Sequence, residues 1–206
     1  LGKAVIVAFV IYERPEERGP LAVVFILAFL GNIVFWCAFE QAGSSLSVFA
    51  KDQTDRSLGG MLAEGGAIGS LFGGKVARLF TDGVFPVTWF QSVNPFTIVI
   101  FGPIFAWLWR WLDSKGWNPS TPMKFALGQF LLGLAFLAMI AAAFQLETGS
   151  LAGPHWLLIL YVVVTWGELC LSPVGLSMVT KLSPPRLQSL MMGVWFFSFS
   201  LSNLLA

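Results

Sequence analysis

Long stretches without one charged side chain constrain this sequence more than any other feature. Leu21 to Phe39 runs for 19 residues with none. Residues 84–109, Phe125 to Leu146 and Leu187 to Ala206 repeat the pattern. The stretch from Pro154 up to Lys181 is interrupted only by Glu168. A helix rises ~1.5 Å per residue, so about 20 apolar residues cover the ~30 Å hydrocarbon core of a bilayer. Within that core the backbone must satisfy its own hydrogen bonds, which favours helices. The runs predict five transmembrane helices, over about 20–49, 84–112, 122–146, 154–182 and 187–206. Composition agrees. With 56% hydrophobic and 11% charged residues, the chain lacks the polar surface of a soluble domain. Nine Trp and twenty Phe suit a lipid-facing surface with interfacial anchors.

Ala4 to Tyr12 is apolar but too short to cross. The chain starts inside this run and ends in another, so it is expected to be a piece of a longer protein. Residues 1–12 would be the tail of a truncated helix, and 13–206 one all-α bundle. A charged loop, Glu13 to Arg18, separates the two. The segment Lys51 to Gly83 is polar and Gly-rich. Within it, Leu71, Phe72, Val76, Leu79 and Phe80, with Lys75 and Arg78, suit a short interfacial helix, and a disordered loop is the competing reading. Arg14, Arg18, Arg110, Lys115, Lys124, Lys181 and Arg186 fall on one side. Lys3, Lys51, Arg56, Lys75 and Arg78 fall on the other. Short loops weigh most in the positive-inside rule, which places the first side in the cytoplasm.

Several function classes are disfavoured. A net charge of +1 gives no basic surface for nucleic acid. Cys37 and Cys170 each lie in an apolar run without a partner at metal-ligand spacing, so no metal is expected. No Gly-rich loop follows a strand to cradle phosphates, and no cofactor is expected. Glu168 and His155 could be an acid and base only if they met. They lie on one helix 13 residues apart, roughly 20 Å by the helical rise, so an enzyme is not expected.

Polar residues inside a membrane are costly and usually face protein or water. At helical spacing, Asn32, Trp36 and Glu40 share a face of the first span, with Gly43 and Ser44 just beyond. Gln91 and Asn94 share a face of the second, beside Pro95. Tyr161, Thr165, Glu168 and Ser172 line the fourth, and Gln188, Met192, Trp195 and Ser202 the fifth. The third span carries only Gln129, read as snorkelling near the cytoplasmic end. The third span is therefore expected at the lipid-facing periphery, with the other four around a cavity. Glu168 lies about 20 Å from either end of its helix, near the midplane. It could bind a cationic group, or take up and release a proton. A buried salt bridge or a neutral carboxyl bonded to a neighbouring helix is the structural alternative. Glu40 lies roughly 29 Å along the first span, near the outer end. It is either functional or an interfacial carboxylate. Trp36 and Trp195 are pocket aromatics or core filler, and Gln91 and Asn94 are ligand contacts or interhelical glue.

These residues also fall in recognisable runs. They are Phe35 to Leu46, FWCAFEQAGSSL, followed by a D-Q-T-D-R stretch ending at Arg56; Trp89 to Pro95, WFQSVNP; Pro119 to Lys124, PSTPMK; Gly167 to Leu182, GELCLSPVGLSMVTKL; and Met191 to Trp195, MMGVW. In this order they resemble the proton-dependent oligopeptide transporters, a branch of the major facilitator superfamily. The resemblance implies the C-terminal six-helix bundle of a 12-helix fold, truncated at both ends. Its helices would be the family's seventh to eleventh, with residues 1–12 ending an extra helix between the halves. The third helix of each triplet lies outside in that fold.

The implied activity is proton-coupled import of di- and tripeptides by alternating access across the cell membrane, plasma or inner. A related carrier of nitrate, an amino-acid derivative or another small solute is the alternative. The resemblance assigns substrate contact to Glu168 near the peptide amino terminus, with Ser172 one turn on, and to Asn94 at the peptide backbone. Gln91 is grouped with them. Trp36 and Trp195 become pocket aromatics, and Glu40, with Glu168, serves proton coupling and gating. Partners would be the peptide, protons, the bilayer and the missing N-terminal half, which in the family holds the basic residues and the E-x-x-E-R motif. A chain without that half supplies the negative wall alone and is not expected to transport.

Overall fold

The computed structural model describes residues 14–57 and 86–206. The expected helix tail at 1–12 and the segment Leu71 to Phe80 lie outside them. The described residues form helices α1 (Pro15–Ile26), α2 (Ile33–Phe39), α3 (Ser45–Asp52), α4 (Thr88–Ser114), α5 (Thr121–Glu147), α6 (Pro154–Leu182) and α7 (Gln188–Leu205). Prolines sit in the first turn of α1, α5 and α6, where an N–H would have no helical partner. Among the described residues, Pro15–Asp52, α4, α5 and α6 are long and apolar enough to cross a membrane. α7 has 18 residues and packs against α2 and α6.

The first column is continuous from α1 to α2 but not uniform. Leu27–Asn32 is a π-helix, which inserts an extra residue into the turn and frees backbone carbonyls. Two side chains from other helices meet this segment. Gln129 on α5 donates to the carbonyl of Gly31. Asn32 donates from Nδ2 to Ser198 Oγ on α7, 2.7 Å away and buried. This corrects the expectation for Gln129. It lies about 12 Å into α5, too deep for a short amide to reach the interface, and it bonds to protein instead. After α2, a 3-10 turn at Glu40–Ala42 and the non-helical Ser44 end the column, and α3 begins.

α5 and α6 make the most extensive helix pair. Gly128 and Gly167 meet at their crossing. A Cβ on Gly128 would stand 3.0 Å from the Gly167 carbonyl oxygen, and one on Gly167 would stand 2.9 Å from that of Gly128. Small residues let membrane helices approach this closely. The opposite side of α5 exposes Met123, Leu127, Phe130, Leu134, Leu137 and Phe144 at heptad-like spacing, a stripe suited to lipid. α4 buries only Phe90 and Thr97, and it rests mainly on α6.

Connections at the two ends tie the bundle. At one, Glu17 in the first turn of α1 pairs with Arg186 just before α7. At the other, Asp55 N–H donates to the Ala152 carbonyl and Ala152 N–H to the Gln53 carbonyl, both at 2.9 Å, which joins the end of α3 to the α5–α6 loop.

Candidate functional site

Where α4 leans on α6, three polar side chains meet among apolar neighbours. Thr165 is fully buried, and its hydroxyl donates to the Tyr161 carbonyl one turn back, at 2.6 Å. That fixes its oxygen toward α4. The Asn94 amide nitrogen then spends both hydrogens on α6. One goes to Thr165 Oγ1 at 3.0 Å and the other to Glu168 Oε2 at 2.8 Å. Thr165 and Glu168 are one turn apart, so a single amide reaches both. Pro95 follows at once and has no N–H for the Gln91 carbonyl, so the α4 ladder is interrupted beside the site.

Glu168 is half-buried. Among the described residues it forms no ion pair, so the buried salt bridge is not what holds it. It accepts from the Asn94 amide at Oε2, and among the described residues Oε1 and the Asn94 carbonyl oxygen remain open to a further donor. The pair therefore presents acceptors and has no cation of its own, an arrangement suited to an ammonium or an N–H group.

The other sequence-predicted residues divide. Ser172, one turn beyond Glu168, has a buried hydroxyl with no partner among the described residues. Trp36 is half-buried in an aromatic cluster. Its ring centroid lies 4.8 Å from Phe39, 4.9 Å from Phe199 and 5.8 Å from Phe35, and its indole N–H has no partner among the described residues. Glu40 is half-buried at the start of the 3-10 turn. Gln91 is exposed and works as a strut. It donates to the Ala42 carbonyl at 3.3 Å and to Ser47 Oγ at 3.0 Å, tying α4 to the break in the first column.

Trp195 is wholly buried. Its ring lies edge-on to Phe125 and Phe199 and fills the space left by the missing side chain of Gly175. In this conformation it is a wedge between α5, α6 and α7, packed against Gly175 two turns along α6 from Glu168. The expected stripe of α7 divides accordingly, with Gln188 exposed and Ser202 buried. Sequence reasoning missed two contacts: Gln129 with Gly31, and Asn32 with Ser198. An amide alone on an apolar helix was the available signal for the first.

No group of three His, Cys, Asp or Glu among the described residues could hold a metal.

Apolar spans that share an amide–carboxyl pair, its carboxyl at the middle of α6, define a polytopic membrane protein with a polar site between its helices. Comparison identifies which kind. The family model for the POT family matches residues 61–206, and this chain belongs to that family. Relatives include an uncharacterized transporter YclF of Bacillus subtilis, 38% identical over 88% of this chain and 32% of its own length. The peptide transporter YePEPT of Yersinia enterocolitica is 36% identical over 93% of this chain and 33% of its own. A di-/tripeptide transporter of Lactococcus lactis subsp. cremoris is 35% identical over 91% and 34%. The chain thus spans about a third of the length of these relatives. Among solved structures, a peptide transporter POT in complex with sulfate superposes with a TM-score of 0.74 at 32% identity, over 98% of this chain and 37% of that one. A POT family transporter in complex with 5-aminolevulinic acid gives 0.74 at 26% identity, over 98% and 38%. The chain is a multi-pass membrane member of this family, helical through nearly all of its described residues.

Proposed function

We propose that this chain is the C-terminal half of a proton-coupled symporter that imports di- and tripeptides across the cell membrane by alternating access. Family membership and the peptide-transporting relatives support the substrate class. The single observation that carries the mechanism is the contact between Asn94 and Glu168. All peptides share an amino terminus, amide groups and a carboxylate. A promiscuous site grips those shared groups and leaves side chains loosely held. Glu168 would accept from the peptide ammonium through its open oxygen. Asn94 would offer its carbonyl to the backbone N–H, and Ser172 would give the next turn a hydroxyl. Trp36 would line the side-chain space. The peptide carboxylate needs a positive partner, which the missing N-terminal half would supply.

Proton coupling follows from the same carboxyl. Without a cation nearby, a half-buried carboxylate is costly to keep charged. It can be satisfied by a bound ammonium or by a proton, and alternating between them links the two fluxes. Glu40, near the break in the first column, would be a second proton-linked carboxyl at the outer gate. No catalytic residue or cofactor enters this scheme, and the gradient is the energy source.

The test uses the full-length parent in proteoliposomes with an imposed inward proton gradient. Gradient-driven dipeptide uptake should appear, and Glu168→Gln should abolish it while leaving the protein folded. Uptake by Glu168→Gln at the wild-type rate would refute this role. The complex with 5-aminolevulinic acid favours a second reading, transport of small amino-acid derivatives. Such a solute also carries an amine and a carboxylate. Competition of labelled dipeptide by that solute ranks the two.

A further inference from the structure

The C-terminal end of α4, the N-terminal end of α5 and the second half of α6 enclose a polar cavity of about 650 Å³. Lys124 and Lys181 both line it, with Asp113, Ser120, Thr121 and Ser177. Its charged end lies away from the site above: Lys181 is roughly 20 Å along α6 from Glu168, while Pro173 brings the inner edge of the cavity to within about 8 Å of it.

Its positive charge is only partly compensated. Two ammonium groups face a wall with one carboxylate, and that carboxylate already accepts from Asn118 Nδ2 at 2.9 Å. Among the described residues neither lysine forms an ion pair. Lys124 is held in place without being neutralised, because its Nζ lies 4.5 Å from the centre of the Trp109 ring. Ser120, at the head of α5, makes no side-chain cap, so the first-turn N–H groups add positive potential to the same wall.

Depth identifies the occupant. Trp107, Trp111 and Trp117 are exposed at this end of α4 and just beyond it, with Arg110 and Lys115 between them. Tryptophan at this density marks the headgroup level of a bilayer. Basic pockets between membrane helices at that level suit anionic headgroups. We propose that this cavity binds the phosphate headgroup of an anionic phospholipid.

The experiment is native mass spectrometry of the detergent-purified full-length transporter, titrated with dioctanoyl phosphatidylglycerol, dioctanoyl phosphatidylcholine or inorganic phosphate. Phosphatidylglycerol should bind in preference to phosphatidylcholine, and the double variant Lys124→Met/Lys181→Met should lose roughly tenfold or more of that affinity. Lys51→Met, at the opposite end, should stay within about twofold of wild type. Lys124→Arg/Lys181→Arg should retain binding. Ser177→Asp places a negative charge in the cavity and should weaken binding even if the double variant fails to fold. Equal binding by the charge-removed or charge-added variant would overturn the proposal. So would equal affinity for the zwitterionic lipid, or displacement of phosphatidylglycerol by an equal concentration of inorganic phosphate. None of these readouts depends on which solute is transported.

Discussion

The Gln129 amide on α5 donates to the backbone carbonyl of Gly31, inside the π-helical segment of the first column. One side chain thereby ties α5 to the irregular turn of the first column. Gln129→Leu keeps the volume but removes the donor. The expected loss is about 1 kcal/mol, in the range of interhelical hydrogen bonds in membranes. In the full-length parent this would lower the melting temperature by roughly 1–3 °C. An unchanged melt would mean that water or another group already serves the Gly31 carbonyl.

The crossing of α5 and α6 yields a sharper prediction. A methyl group on Gly167 would stand 2.9 Å from the Gly128 carbonyl oxygen and 3.0 Å from the Phe35 ring. A backbone oxygen cannot swing aside, so Gly167→Ala must part the two helices. Overpacking of this kind costs about 1–3 kcal/mol. Gly133→Ala is the control, because nothing lies within 4 Å of its Cβ position. Size-exclusion profiles and melting curves should separate the two variants. Equal behaviour would show that the helices do not cross this closely.

At the candidate site, Asn94 and Glu168 should behave as a unit. Asn94→Leu and Glu168→Gln should each weaken dipeptide binding, and their effects should not add. A double-mutant cycle on calorimetric dissociation constants should give a coupling of about 0.5–3 kcal/mol. Thr165→Val removes the oxygen that shares the Asn94 amide, and it should have the smaller effect because Glu168 still accepts. Strict additivity of Asn94→Leu and Glu168→Gln would dissolve the proposed pair.

Much of this was legible in the sequence because the bilayer simplifies the reading. Lipid admits few backbone arrangements, so charge-free runs mark helices directly. Glu168 could be singled out because a carboxyl at mid-helix is costly there. The peripheral place expected for α5 holds only in part: it exposes an apolar stripe, yet it buries six residues where α4 buries two. What the sequence did not reveal depends on which helices touch. Period alone places Asn94 on a face, but not against Thr165. The π-helix at Leu27–Asn32 has no charge or proline within it to announce it, and its partners come from α5 and α7, far along the chain. Trp195 shows the same limit. Its size and spacing fit a pocket wall or a core wedge equally well, and only Gly175 on the facing helix decides for the wedge in this conformation.

That placement predicts a contrast between the two tryptophans. Trp195 is fully enclosed, with an indole N–H that has no partner among the described residues, whereas Trp36 is half-buried among Phe35, Phe39 and Phe199. Trp195→Ala should cost about 3–5 kcal/mol, because α5, α6 and α7 cannot close over so large a void. Trp195→Phe keeps much of the volume and forfeits no hydrogen bond. It should bind dipeptides as wild type does while melting somewhat lower. Trp36→Ala should act the other way, with a modest loss of stability and a change in affinity that depends on the peptide side chain. The measurement is a set of dipeptide dissociation constants, with small and bulky side chains, beside melting curves for each variant. If Trp195→Phe shifts affinity with side-chain size and leaves the melt untouched, the indole faces substrate in another conformation. The helices around it would then have to part during transport.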